Sequence, residues 1–380
     1  MLRQDNFTKE NIERLQKISG NDPSLLEKTV YAFGLLEAIS KVEMPFIFKG
    51  GTCLMLLMEK PRRLSTDIDI IVEPGTDVES FIQKAGQIFP FNSHKEDVRK
   101  GRNDIEKRHY EFVYDSPIND KPLVILLDIL FEENHYKTLL EKPIKNDLLL
   151  TDGEDLMVRI PDVNSILGDK LTAFAPHTTG IPFGVDKELE IIKQLYDCYT
   201  LSREMTNYAE VREVYKSVAV TELGYRGMDY SVHTVLRDTI SSCFCIIAKG
   251  GVDKEEYTYF ADGIRRIGGH IYGERFNGEL AAYIACEVLY LAACLYTDSE
   301  YLAIDNSEEY MNDKFNFKGA RGINYLRKVN MDCYAYVAAA VRILGEEVEE
   351  VVYSFEEYKY RIYYLRRWGC KKLPLKGKQL

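Results

Sequence analysis

The chain has 380 residues, of which 46% are hydrophobic and 29% charged. That composition excludes a disordered chain, a collagen-like fibre and a low-complexity scaffold, and the length suggests more than one unit, long enough to bury a core without metal or disulfide staples. With 49 Lys and Arg against 60 Asp and Glu the net charge is −11, so the body of the protein is a poor match for a nucleic-acid backbone.

The charge is uneven. From Lys359 to Leu380 there are eight Lys or Arg and no acid, interleaved with Tyr360, Tyr363, Tyr364 and Trp368. This tail reads as a last helix with a cationic end, or as a surface that touches RNA by charge and stacking. No apolar run reaches the ~18 residues that span a bilayer, and residues 281–296 carry Glu287 in their middle. The first residues, MLRQDNFTKENIERLQK, are polar where a signal peptide needs an apolar core. The expectation is a cytoplasmic protein with no membrane partner. The eight cysteines form no CxxC pair and read as reduced, buried thiols.

In chain order, a helix opens at Asp22-Pro23-Ser24, carries Leu25, Leu26, Val30, Phe33, Leu36 and Ile39 at helical spacing, and closes near Ser40 ahead of Pro45. Phe46-Ile47-Phe48 is a short strand that runs into Gly50-Gly51, and residues 53–58 resume as helix. Residues 67–72 form a β-branched strand that places Asp67 and Asp69 on one face. Residues 76–89 read as a helix, and the mixed charges of residues 95–108 as a solvated loop. Residues 108–114 alternate as a strand. Residues 124–130 are almost wholly apolar, which makes them a central strand, with Asp128 its one carboxylate. Beyond Asp162 the pattern turns helical, over residues 165–174, 187–201 and most of the chain from Glu210. The expected division is an α/β catalytic half, residues 1–160, and a helical half, residues 161–380.

The chemistry concentrates in Lys49-Gly50-Gly51-Thr52 and in Arg63-Leu64-Ser65-Thr66-Asp67-Ile68-Asp69. Two glycines between a strand and a helix let backbone N–H groups approach phosphate closely, and Thr52 adds a hydroxyl donor. Two carboxylates on one strand face are costly unless a cation neutralises them, and hard oxygen ligands suit Mg²⁺ or Mn²⁺. A third carboxylate, Asp128, sits in an apolar strand. If the two strands are neighbours, the three have the content of a two-metal phosphoryl or nucleotidyl transfer site. Each signal alone is common in unrelated proteins; the combination in this order is specific.

The order GG[ST]…DxD…D resembles the DNA polymerase β-like nucleotidyltransferase superfamily. The longer pattern FKGGTCL…RLSTDIDI, with the LLDIL strand, Lys170-Leu171-Thr172-Ala173 and Leu195-Tyr196-Asp197, is similar to the AbiEii/AbiGii toxins of type IV toxin–antitoxin systems. The resemblance covers roughly residues 25–201. It implies an α+β fold: an N-terminal polymerase β-like nucleotidyltransferase domain, a mixed sheet with helices, followed by a helical C-terminal domain that contributes Lys170 and Asp197 to the site. It implies transfer of a nucleoside monophosphate from a nucleoside triphosphate to an acceptor hydroxyl, with RNA such as the 3′ end of a tRNA as acceptor and a cognate antitoxin as partner. By the same resemblance Lys49, Gly50, Gly51, Thr52, Arg63 and Ser65 belong to the nucleotide site, and Asp67, Asp69 and Asp128 hold Mg²⁺ or Mn²⁺. Asp128 also helps to deprotonate the acceptor, Lys170 offsets phosphate charge, and Asp197 is a supporting carboxylate. The sequence departs from the family pattern at Gln194, where a carboxylate is usual, and in the long stretch over residues 176–186. Two other readings stay open: an adenylyltransferase for a small-molecule or protein acceptor, and a non-catalytic nucleotide-binding regulator.

Overall fold

The computed structural model describes residues 1–97, 106–353 and 355. Its first two long helices begin where their caps dictate. Thr8 accepts a hydrogen bond from the Asn11 N–H at the start of α1 (Lys9–Ser19), and Asp22 accepts from the Ser24 and Leu25 N–H groups at the start of α2 (Pro23–Lys41). Both caps satisfy amides that a helix leaves without internal partners, and Pro23 sits where its missing N–H costs nothing. Nearly every residue of α2 from Leu26 to Ile39 is buried, so it is a core helix.

The chain then forms β1 (Ile47–Lys49), α3 (Gly50–Leu57), β2 (Ile68–Val72), α4 (Glu79–Ala85), β3 (Ser93–Glu96), β4 (Lys107–Asp115) and β5 (Pro122–Phe131). The five strands make one mixed sheet in the order β1-β2-β5-β4-β3. β2 and β5 run parallel, and the other neighbours are antiparallel. The apolar β5 takes the middle place: Ile125, Leu127 and Ile129 are buried on one side, and the alternate residues, Asp128 among them, are half-buried on the other. A separate two-stranded ribbon pairs β6 (Leu139–Pro143) with β7 (Met157–Pro161).

The rest of the described chain is helical: α5 (Val163–Ala173), α6 (Glu188–Ser202), α7 (Tyr208–Tyr225), α8 (Val232–Ile247), α9 (Lys254–Ile267), α10 (Gly278–Tyr296), α11 (Ala320–Val329), α12 (Met331–Leu344) and α13 (Val348–Val352). The fold class is α+β, a mixed sheet with helices followed by a helical C-terminal region.

Two compact units share the chain. The first comprises Met1–Asp169, Arg203–Met228 and Ile267–Phe276; the second comprises Lys170–Ser202, Asp229–Arg266 and the chain from Asn277 onward. Sequence suggested a single division near Pro161, whereas the chain leaves the first unit after Asp169 and returns to it twice. The physical reason for the returns is apolar area. Val214 and Val218 of α7 pack with Ile47, Ile71 and Tyr136 in one buried cluster. Gly168 lets α5 lie against α7: a Cβ there would stand 2.8 Å from the Tyr215 amide nitrogen and 2.9 Å from the Val211 carbonyl oxygen.

Within the second unit α10 packs against α6, α8 and α12. By length and composition α10 is apolar enough to cross a membrane, which the sequence reading did not allow; 72% of its apolar window is buried inside the fold. The same unit holds a buried ion cluster. His177 Nδ1 lies 2.7 Å from Asp238 Oδ1, and its Nε2 lies 2.9 Å from Glu256 Oε1. Asp238 also accepts from the His177 and Thr178 amides and the Thr178 hydroxyl.

Two local expectations change. The helix expected over residues 76–89 is confined to α4. Part of the stretch read as a solvated loop is ordered as β3, where Lys95 meets Glu111 at 2.8 Å, and Arg108 of β4 is held between Glu96 and Glu79. Cross-strand charge pairs, invisible in the linear pattern, supply that order. Arg99, Lys100 and Arg102 of that stretch, and the basic tail from Lys359, lie outside the described residues. The seven described cysteines are all buried, while Cys370 lies outside the described residues.

Candidate active site

The register of the sheet builds the site. Lys49 of β1 is the partner of Asp69 on β2, Asp69 that of Asp128 on β5, and Asp128 that of His109 on β4. Residues directly opposite one another on neighbouring strands share a face, at about 4.8 Å per strand. Lys49, Asp69, Asp128 and His109 therefore form one row across four strands. Asp67, two residues before Asp69, is exposed just ahead of β2. Sequence spacing put Asp67 and Asp69 together; only the parallel pairing of β2 with β5 brings Asp128 beside them.

The glycine turn is fitted to this row. Gly50 has φ +78°, and a Cβ on it would lie 2.7 Å from Asp69 Cγ and 2.9 Å from Asp69 Cβ. The position thus needs glycine for its backbone and for the approach of the carboxylate. A Cβ on Gly51 would stand 2.7 Å from an Arg63 guanidinium nitrogen and 2.7 Å from Ser65 Oγ. Gly50, Gly51, Arg63, Ser65 and Asp69 accordingly converge at the start of α3, where backbone N–H groups and the helix dipole favour an anion. The Thr52 hydroxyl donates to the Asp67 carbonyl at 2.6 Å and the residue is fully buried. That side chain braces the loop carrying the DxD, so the hydroxyl expected to serve as a phosphate donor is committed within the fold.

Arg63 is 5% exposed, and its loop is clamped by a distant stretch of the same unit. Leu64 donates its amide to the His270 carbonyl at 2.7 Å, and Tyr272 donates to the Arg62 carbonyl at 3.0 Å. The Asn21 amide donates to the Gly269 and Ile271 carbonyls. No sequence signal marks residues 267–276 for this task, because the bonds use main chain.

Lys49 is drawn into a buried network rather than presented alone. Its Nζ lies 2.9 Å from Asp169 Oδ2, which also accepts from the Tyr136 hydroxyl at 2.8 Å. Glu132 accepts from Tyr225 at 2.8 Å. Burial works against the charge on Lys49, but Asp169, Tyr136 and Glu132 outweigh it and hold the ammonium well above its ordinary pKa. Burial pushes the Glu132 carboxyl up, against the opposing pull of Lys49 and Tyr225. Asp169, Tyr136 and Glu132 carried no sequence signal, since none falls in a spaced motif.

In the second unit Lys170 Nζ lies 3.1 Å from Asp197 Oδ2, with both side chains almost wholly buried. The Gln194 side-chain carbonyl, at the position where the family pattern carries a carboxylate, accepts from Lys170 at 3.0 Å. Lys193, four residues before Asp197, meets Glu190 at 2.9 Å.

The donor set of the row fits a divalent cation of the Mg²⁺ type. Asp69 and Asp128 are side by side in register on neighbouring strands, Asp67 lies just ahead of β2, and all the donors are hard oxygens. Among the described residues no three His, Cys, Asp or Glu side chains stand close enough to hold a metal ion together, so the expected triad of Asp67, Asp69 and Asp128 is not assembled as a three-carboxylate site. The in-register pair Asp69 and Asp128 is within what Mg²⁺ uses, one or two carboxylates with water and substrate phosphates supplying the rest. A cavity of about 400 Å³ in the first unit, lined by Met44, Phe46, Ile71, Glu73, Met157 and Arg159 among others, contains none of these carboxylates.

By comparison with known proteins, the chain falls in the nucleotidyltransferase class. The profile of the nucleotidyl transferase AbiEii toxins of type IV toxin–antitoxin systems matches residues 34–243, more than half of the chain, and the chain belongs to that family. Two Helicobacter pylori crystal structures are similar over 72% of this chain: JHP933, at 15% identity over 93% of that chain, and a chain assigned as a nucleotidyltransferase, at 14% identity over 96%. Both have a TM-score of 0.39, too loose to say anything of the chemistry here. A stretch of 84 residues, 21% of this chain, is 37% identical to part of Dicer-like protein 1 of Phaeosphaeria nodorum, and the chain spans 6% of that relative's length.

Proposed function

We propose that this chain transfers a nucleoside monophosphate from a nucleoside triphosphate to an acceptor hydroxyl, at the row of carboxylates beside the Gly50-Gly51 turn. The observation that carries the reading is the register of Asp69 with Asp128 on adjacent parallel strands, next to a glycine that admits the Asp69 carboxylate. The α3 N-terminus, with Gly50, Gly51 and the Thr52 amide, takes the anionic end of the triphosphate. Arg63 and Ser65 stand against the same turn and add donors, and Lys49 supplies a fixed positive charge one strand away. Asp67, Asp69 and Asp128 are the groups that would hold Mg²⁺ or Mn²⁺. When bound, such ions neutralise phosphate charge and align the attacking and leaving oxygens. In the reaction the acceptor oxygen bonds to the α-phosphorus, the bond from that phosphorus to the β-phosphate bridging oxygen breaks, and pyrophosphate leaves. The acceptor proton passes to the Asp128 carboxylate. Little covalent chemistry is left for the chain to do beyond positioning and charge neutralisation.

For Lys170 and Asp197 the reading keeps what the family resemblance implies, a cation that offsets phosphate charge and a supporting carboxylate. Membership of a type IV toxin–antitoxin family supports a cognate antitoxin as partner, and RNA such as a tRNA 3′ end is the acceptor we favour. The cytoplasm, where nucleoside triphosphates and tRNA are both present, is the setting this reading requires.

The test is labelling. Purified protein with Mg²⁺ and each labelled nucleoside triphosphate in turn should label cellular RNA. Asp69→Asn and Asp128→Asn should lower that labelling by about 10²–10³-fold or more while melting as the parent does. Labelling by either variant at the parent's rate would remove the carboxylate row from the mechanism. Label found on protein with none on RNA would instead identify a protein acceptor.

A further inference from the structure

Asp128 does not stand alone on β5. His109, its register partner on β4, places Nδ1 at 2.6 Å from Asp128 Oδ1. An ionised carboxylate only accepts hydrogen bonds, so Nδ1 carries the hydrogen in this pair whatever the state of Nε2. The two atoms are within hydrogen-bond distance. His109 is also the more enclosed partner: its side chain is 17% exposed against 38% for Asp128. A carboxylate that exposed has rotational freedom to lose, while a ring held at a strand position has little. On the other flank, Asp69 has its own constraint in the close approach to Gly50. Each of the two in-register carboxylates therefore has one neighbour that restricts its orientation.

We propose that His109 is a positioning residue for Asp128: its Nδ1–H fixes the plane of the carboxylate through Oδ1 and leaves Oδ2 as the oxygen available to a divalent cation. The inference rests on the nucleotidyl-transfer reading of the row and deepens it. A hydrogen bond from outside the ligand set that orients a ligating carboxylate affects metal affinity about 10- to 100-fold when it is removed. Asn can partly replace such a donor because its amide nitrogen stands close to where the ring Nδ1 stood, whereas the longer Gln reaches past that point.

The experiment is equilibrium binding of Mn²⁺ alone to the full chain, followed by loss of the free-ion electron paramagnetic resonance signal. Thermal melting without metal runs alongside as a check on folding. The parent is expected to bind and Asp128→Ala to bind far more weakly. His109→Ala and His109→Gln should lose about 10- to 100-fold in affinity, and His109→Asn should keep most of it. If His109→Ala does not fold, the contrast between His109→Asn and His109→Gln decides alone, and equal affinity in those two overturns the proposal. If Asp128→Ala is impaired while His109→Ala binds as the parent does, the role of His109 is wrong and the site reading survives. Losses in His109→Asn as large as in His109→Ala also overturn it, because the Nδ1 donor would then not be the reason. If the parent and Asp128→Ala bind alike, the reading of the site itself fails, and the role of His109 falls with it.

Discussion

His177 is a buried charge that is partnered on both sides. Both ring nitrogens face carboxylates, Asp238 on one side and Glu256 on the other, and the ring stacks on Phe355 at 4.6 Å. Two ionised acceptors require two donors, so the ring is an imidazolium. Burial opposes that charge, but Asp238 and Glu256 overcome it and the His177 pKa is pushed up to about 10. The folded value lies above the unfolded value of about 6.5, so the proton is bound more tightly in the folded state. Its contribution to stability is full below about pH 6.5, shrinks above it, and is lost as pH rises through about 10. Urea unfolding of the parent should therefore show falling stability across that window. His177→Gln should be less stable at pH 6 and should lack this part of the slope, and an unchanged slope in that variant would assign the pH dependence elsewhere.

At the scale of elements, glycines decide how closely helices meet. Gly168 in α5 lies against the backbone of α7, whereas a Cβ on Gly224, in the last turn of α7, would meet nothing within 4 Å. The two positions predict opposite signs for the same substitution. Gly168→Ala forces main-chain atoms apart, and the cost of overpacking, about 1–3 kcal/mol, exceeds the gain from helix propensity. Gly224→Ala has no such cost and should stabilise by about 0.5 kcal/mol. Denaturation midpoints of the two variants measure the contrast, and equal shifts would mean that α5 and α7 are not in this contact. The long elements were legible in sequence because their signals are local. The Asp22-Pro23 cap fixed the start of α2, and the continuous apolar run of residues 124–130 fixed β5 and its central place. β3, β6 and β7 were missed, because short half-exposed strands have little pattern of their own and are held by partners distant in sequence.

At the scale of the molecule, the chain does not divide where composition changes. Residues 1–160 contain the whole five-stranded sheet and its carboxylates, yet the apolar surface of Ile47, Ile71 and Tyr136 is covered by Val214 and Val218 of α7. The Arg63 loop likewise takes hydrogen bonds from residues 267–276. A fragment of residues 1–160, expressed alone, should therefore lack a cooperative thermal transition and bind a hydrophobic dye. A sharp, reversible melt of that fragment would show that α7 and the 267–276 segment are dispensable to the unit.

The glycine turn, the DxD, the third carboxylate and the membership they indicate were all fixed by sequence, because each depends on residue type at short spacing along one element. Tertiary structure decided what stands next to what. Strand order and register put Asp128 beside Asp69 and His109 beside Asp128, and side-chain burial turned Lys49 toward Asp169 and Tyr136. Those are pairings between segments tens of residues apart, set by hydrogen-bond register and by which apolar faces cover one another, and no local pattern in the chain encodes them.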